Sequence, residues 1–468
     1  MTSEFDPRDG GAIAEFALLQ STSTRCQVIV ECISHLDQRW ARGSLTTNGS
    51  TGETSITVIA FDDRPSGTGV ATVTQSVQSD QEVRDVVETA VLGARLSAPA
   101  QDAGDWPEAA TSSDFAEQAP LLLPDSITAS VLRLGDLFRW GRSAGIELFG
   151  YLECELTTTW LATSASTRLR HTQPSDRLEI TAKSHARTRS TWHGFAAIEL
   201  SDGEWGQLKA DIRQDLNWQG AMLDLAPARR TTILPPSAIG DFILDLYWSA
   251  GARDAHEGRS AFHDEAATSS TRIGQQVCGP EIRVTSDPSD HLVPTQPFAL
   301  SAGSSRFSSV FDNGMALTST DWIRDGRLEH LISTGSDARR LGIPQAPLID
   351  NIRFDVSGLA PDTAALVSGL DDGLLLTCVW YNRTVDPQTM LLTGLTRDGV
   401  YVVRGGEVIG ATSNFRFNDS PLSMLARVTA GTEPMRTLPR EMADYANSVA
   451  MPAVTLEAMN FTSISEAR

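Results

Sequence analysis

The stretch GDFILDLYWSAGARDAHEGRSAFHDEA, Gly240 to Ala266, concentrates the residues best suited to metal chemistry: His256, Glu257 and His263. A His-Glu pair with a second His on the same helical face is a zinc peptidase arrangement, in which two imidazoles bind the ion and the carboxylate activates water. Such a site needs its histidines about one turn apart. His256 and His263 stand seven residues apart, close to two turns, or roughly 10 Å along a helix axis. They would share a face without sharing an ion, and Gly258 and Ser260 make the segment between them a poor helix. The other histidines (His35, His171, His185, His193, His291 and His330) are scattered among predicted strands and turns. The sequence contains no GxSxG elbow, no phosphate-binding loop and no GxGxxG at a strand–helix turn; SDPSDH and LDDG read as turns. Cys26, Cys32, Cys154, Cys278 and Cys378 lack CxxC spacing and read as buried reduced thiols.

The elements that would position these residues follow from periodicity. A helix is predicted from about Gly10 to Ser21. Strands follow at RCQVIVECISH, TSITVIAFDD and GTGVATVTQSV, the last two divided by the turn DRPSGTG. SDQEVRDVVETAVLGARL reads as a helix with a Ser79–Glu82 capping box and an apolar stripe of Val83, Val86, Val87, Ala90, Val91 and Ala94. A Pro/Asp/Ala-rich linker spans about 98–124. A helix at about 126–144, long alternating strands in IELFGYLECELTTTWLATS and RLEITAKSHARTRSTWHGFAAIEL, and a polar helix at about 203–218 come next. Beyond one apolar helix at Ile239–Ala250, the chain turns to short strands and Gly, Ser and Asp turns. The expected fold class is α+β: an N-terminal α/β domain with antiparallel strands over 1–225, and a β-rich C-terminal domain, sandwich or barrel-like, over 226–468.

The chain has 468 residues, 41% hydrophobic and 21% charged, enough apolar material for real cores. Its formal net charge is -21, and its lysines are only Lys183 and Lys209. That charge repels phosphate backbones, so direct nucleic-acid binding is not expected. No run approaches the roughly 18 apolar residues of a membrane span, and the acidic opening MTSEFDPRDGG does not read as a targeting peptide. The expected location is the cytoplasm.

The order of segments carries more information than any single one. TTILPPSAIGDFILDLYWSA is followed by GRSAFHDEAATSSTRIGQQVCGPEIRVTSDP, LISTGSDARRLG, LLLTCVWYNRTVDPQTMLLTGLTRDGVYVVRGGEVIG and MPAVTLEAMNFTS. This series resembles the TldD/PmbA (TldE) family, once described as modulators of DNA gyrase and regarded as subunits of a zinc-dependent peptidase. The resemblance implies that a TldD-type subunit carries HExxxH on the helix after the Gly/Pro turn, with a cysteine near the C-terminus as third ligand. Here the two histidine positions fall at Leu244 and Ser249 and the glutamate position at Asp245, and no cysteine follows Pro434. The resemblance is thus closest to the PmbA/TldE-type subunit. It implies no catalytic or metal-binding residue in this chain, zinc in a TldD-type partner, and an unfolded peptide as the shared substrate. It also implies a cleft or partner interface near Ser260, Phe262, Arg272, Gly274 and Gln275. Two other readings stay open: a stand-alone hydrolase using Asp245 with His256 or His263, and a non-enzymatic interaction protein.

Overall fold

The computed structural model describes residues 5–466. Its N-terminal half is built on one antiparallel sheet of β1 (Arg25–Ala41), β2 (Ser44–Arg64), β3 (Gly67–Ser76), β4 (Glu147–Thr163), β5 (Arg168–Ser184) and β6 (Arg189–Phe195), in the order β3-β2-β1-β4-β5-β6. Alternation along β1 assigns its two faces. Val28, Val30, Cys32, Leu36 and Trp40 point to one side, and Glu31, His35, Asp37 and Arg39 to the other.

Four helices cover the apolar side. α1 (Gly10–Gln20) and α2 (Asp80–Leu96) pack over Val28, Val30 and Trp160, while α3 (Thr128–Ala144) and α4 (Asp202–Trp218) pack over Leu36, Leu152, Leu178 and Ile180. Gly10 lies so close to the Trp160 ring that a Cβ would stand 2.3 Å from it. The Ser79 hydroxyl caps α2 by accepting from the Glu82 N–H, but the Glu82 carboxylate accepts from Gln78 N instead of closing the box. The complete box belongs to α4, between Ser201 and Glu204. The 98–124 run is irregular yet bound to the sheet: Ser112 N donates to Arg168 O at 2.7 Å, and Trp160 Nε1 to Phe115 O at 3.0 Å.

Two strand expectations change. RLEITAKSHARTRSTWHGFAAIEL is a hairpin, because His185, Ala186 and Arg187 take positive φ (51°, 53°, 68°) and reverse the chain between β5 and β6. β2 begins at Ser44, well before the apolar run, since the polar segment SLTTNGSTGE pairs with the polar half of β1.

After β7 (Arg229–Leu234) and α5 (Pro236–Trp248) the chain enters a closed five-stranded barrel and a second six-stranded sheet. Around the barrel the neighbours are Asp372–Asp386, β7, Val454–Ile464, Phe415–Asp419 and Leu391–Arg404, and the last pairs back onto the first. Closure removes exposed edges and decides between sandwich and barrel. α5 starts at Pro236, whose missing N–H costs nothing in the first helical turn. Nine of its 13 residues are buried, and its Phe242 packs edge-on against Phe417 of the barrel. The fold is α+β. Among the described residues, no helix is long and apolar enough to cross a membrane.

Candidate functional site

The helix-free face of the first sheet is divided: Ile29, Phe61, Leu161 and Leu169 are buried against Phe298, Val310 and Phe311, while a polar part faces a cavity of about 390 Å³. One wall is Glu155, Thr157, His171 and Gln173 of β4 and β5. The other is the end of α5, with Leu244, Tyr247 and Trp248, and the segment from Ala443 to Val449. Tyr247 is fixed because its hydroxyl donates to Ile349 O and accepts from Ile349 N, each at 2.9 Å. Trp248 meets Tyr445 edge-on at the mouth, and Tyr445 is 79% exposed. Below this cavity a second space, about 660 Å³, is lined by Arg39, Tyr151, Glu153, Glu155, Arg177 and Asp444 among others. The halves are tied beside it: buried Glu179 of β5 accepts from Trp192 Nε1 (3.0 Å) and from Arg440 (3.2 Å). Arg177 pairs with Glu179 and with Asp444.

The motif positions on α5 can be tested directly for zinc. Leu244 reaches the cavity but offers no donor atom. Ser249 is the C-cap residue of α5, its N–H bonded back to Asp245 O and Leu246 O. Asp245 is a single carboxylate; burial is the main cause that pushes it up to about 7, with Glu441 adding to the rise and the Asn382 amide and Arg383 opposing it. One turn earlier Asp241 is fully buried, its Oδ1 accepting from Glu441 N and Met442 N at 3.0 and 3.1 Å, and burial drives its pKa well up. Asp245 Oδ2, Asp241 Oδ2 and both amide atoms of Asn382 are buried without a well-formed hydrogen bond. Cys378 is buried, its thiol directed to Arg397 O and its pKa raised well above the usual range by burial, the opposite of what a thiolate ligand needs. This donor set does not fit a zinc ion.

His256 ends the short helix α6 (Ala252–His256), and Gly258, with φ of 73°, turns the chain before His263. His256 Nδ1 lies 2.9 Å from Ser269 O, and His263 Nδ1 lies 2.8 Å from Ala255 O, so both rings serve local backbone. The predicted interface group lies in the same region. Ser260 is buried and Phe262 belongs to the barrel-side core. Arg272 bonds Ala261 O and Gln275, Gln275 bonds Asp264, and Gly274 donates to Leu328 O. None of the five lines the cavity against the sheet.

Sequence reasoning passed over His35. Among the described residues, the ligand-type side chains that converge are His35, Glu153 and Glu155, whose donor atoms lie within 4.8 Å of one another. The alternation HLDQR in β1 and YLECE in β4 marks both as carrying charge on one face, but only the pairing His35↔Glu155 brings the two together.

The fold has known counterparts. The chain superposes on TldE from Thermococcus kodakarensis with a TM-score of 0.75 at 12% identity, covering 96% of this chain and 99% of that one. Two proteins described as candidate modulators of DNA gyrase also match. The one from Bacteroides thetaiotaomicron gives TM-score 0.72 at 11% identity, covering 97% and 98% of the two chains. The one from Thermotoga maritima gives 0.70 at 13% identity, covering 94% and 96%. Helix-dressed sheet, cleft and barrel therefore define a TldE-like architecture. A sequence search of curated proteins returns no match. The family model of the PmbA/TldA metallopeptidase C-terminal domain matches residues 227–463, and the chain belongs to that family.

Proposed function

We propose that this chain is the non-catalytic, PmbA/TldE-type subunit of a cytoplasmic heteromeric peptidase whose zinc is carried by a TldD-type partner and whose substrate is unfolded peptide. One observation supports this reading above the others. α5, the helix that would bear a zinc motif, presents Leu244 to the cavity and commits Asp245 and Ser249 to burial and helix capping. In the complex the partner's zinc supplies the activated water. This chain's contribution is a wall: polar Thr157, His171 and Gln173 line its sheet side, and the space against Tyr247 and Trp248 excludes folded protein.

The test is casein-type cleavage by the chain alone and after co-expression with an HExxxH-bearing relative from the same genome. The expected result is an inert lone chain and a co-purifying, active pair. Cleavage by the lone chain, or failure of the two to associate, overturns the reading.

A further inference from the structure

We propose that His35, Glu153 and Glu155 form a binding site for one divalent cation of the zinc class on the sheet wall of the cleft. The three come from two adjacent strands at fixed register: His35 faces Glu155 across β1 and β4, and Asp37 faces Glu153. His35 Nδ1 lies 3.3 Å from Glu155 Oε2 and 3.5 Å from Glu153 Oε1. Ligands at about 2.0–2.2 Å from a tetrahedral ion stand about 3.3–3.6 Å from each other, the separation of the imidazole nitrogen from each carboxylate oxygen here, and all three donor atoms lie within 4.8 Å of one another. One nitrogen and two oxygens suit zinc or cobalt better than calcium or magnesium, which prefer oxygen alone.

The surroundings agree with an ion. Asp37 Oδ1 sits 3.8 Å from Nε2, too far for a hydrogen bond but close enough to add negative potential on that side of the ring. Thr157 Oγ1 donates to Glu155 Oε1 at 3.1 Å, leaving Oε2 for the site. Charge is unbalanced: three carboxylates surround one imidazole, while Arg39 stacks on Tyr151 and Arg177 is held by Glu179 and Asp444. The side chains are 19%, 24% and 30% exposed, sheltered but reachable. Glu155 borders both cavities, so the fourth position opens to a water or to an oxygen ligand entering the cleft. The site does not depend on the heteromeric reading.

The probe is Co²⁺ added to the metal-stripped full chain, read by visible absorption and calorimetry. Expected is one equivalent bound with the intense d–d bands of a four-coordinate N/O site, displaced by Zn²⁺. Affinity should drop at least tenfold in each of His35→Ala, Glu153→Gln and Glu155→Gln. The two Gln variants keep size and hydrogen bonding, so they decide the matter if His35→Ala fails to fold. Absence of stoichiometric binding, or the same binding in folded Gln variants, overturns the proposal and leaves His35 as an ion-pair partner of the glutamates.

Discussion

Asp245→Asn should make the protein more stable, and increasingly so as pH rises. In the folded chain, burial raises this carboxyl from 3.8 to about 7. Below about pH 4 both folded and unfolded chains hold the proton and the group contributes nothing. Between about pH 4 and 7 the unfolded chain has released the proton while the folded chain keeps it, so stability falls by up to about 1.4 kcal/mol per pH unit. Above about pH 7 the penalty is complete. Three units of displacement correspond to about 4 kcal/mol, and the incomplete burial of the side chain brings the expectation to about 2–4 kcal/mol. Asparagine has the shape of the protonated acid and no proton to lose. Urea unfolding of both proteins at a series of pH values from about 4 to about 8, followed by tryptophan fluorescence, isolates the effect as a difference. The gain should be near zero at the acid end and level off near its maximum at the alkaline end. A gain independent of pH, or a loss at every pH, would refute the assignment of Asp245 as a carboxyl held neutral by burial.

Two substitutions test the packing that holds the cleft. Arg440→Ala removes a cation that pairs with buried Glu179 and lies over Trp192 and Trp380, with 5.1 and 4.5 Å to the ring centroids. Glu179 keeps Arg177 and Trp192 as partners, so losing this one charged contact should cost about 1.5–3 kcal/mol in thermal or urea unfolding, and Arg440→Lys should recover only part of it. Gly10→Ala sets a methyl group against the Trp160 ring and should cost about 1–3 kcal/mol, read as a lowered Tm.

Local rules made the N-terminal helices legible: α2 announces itself by Ser79 and its valine stripe, and α4 reads as a polar helix at about 203–218, while its Ser201–Glu204 box emerges from the structure. The polar start of β2 was not legible, since nothing in SLTTNGSTGE alternates and its strand character comes from pairing with β1. The barrel was legible only as β-rich. Its closure depends on Leu374 and Leu375 of the Asp372–Asp386 strand pairing with Thr232 and Ile233, contacts set by tertiary packing. The segment order identified the family. The convergence at His35 was out of reach for the same reason as the barrel: Glu155 is 120 residues away, and spacing along the chain carries no information about register between β1 and β4.

The side chains around α5 argue that its lack of ligands involves more than two letters of a motif. The helix is a core element, with Phe242, Ile243 and Leu246 packed in the barrel-side cluster and Asp241 spent on the backbone of Glu441 and Met442. Histidines at positions 244 and 249 would put one imidazole in a site now only 3% exposed, beside two carboxyls that burial already holds up. The buried, high-pKa thiol of Cys378 could not complete the set. Of the charge that borders the cleft, Glu155 comes from the sheet, whose other face is occupied by helices, while Asp350 and Asp444 come from the opposite wall. Whatever enters the cleft therefore meets an aromatic helix end flanked by Asp350 and Asp444 on one side and a polar sheet carrying Glu155 on the other.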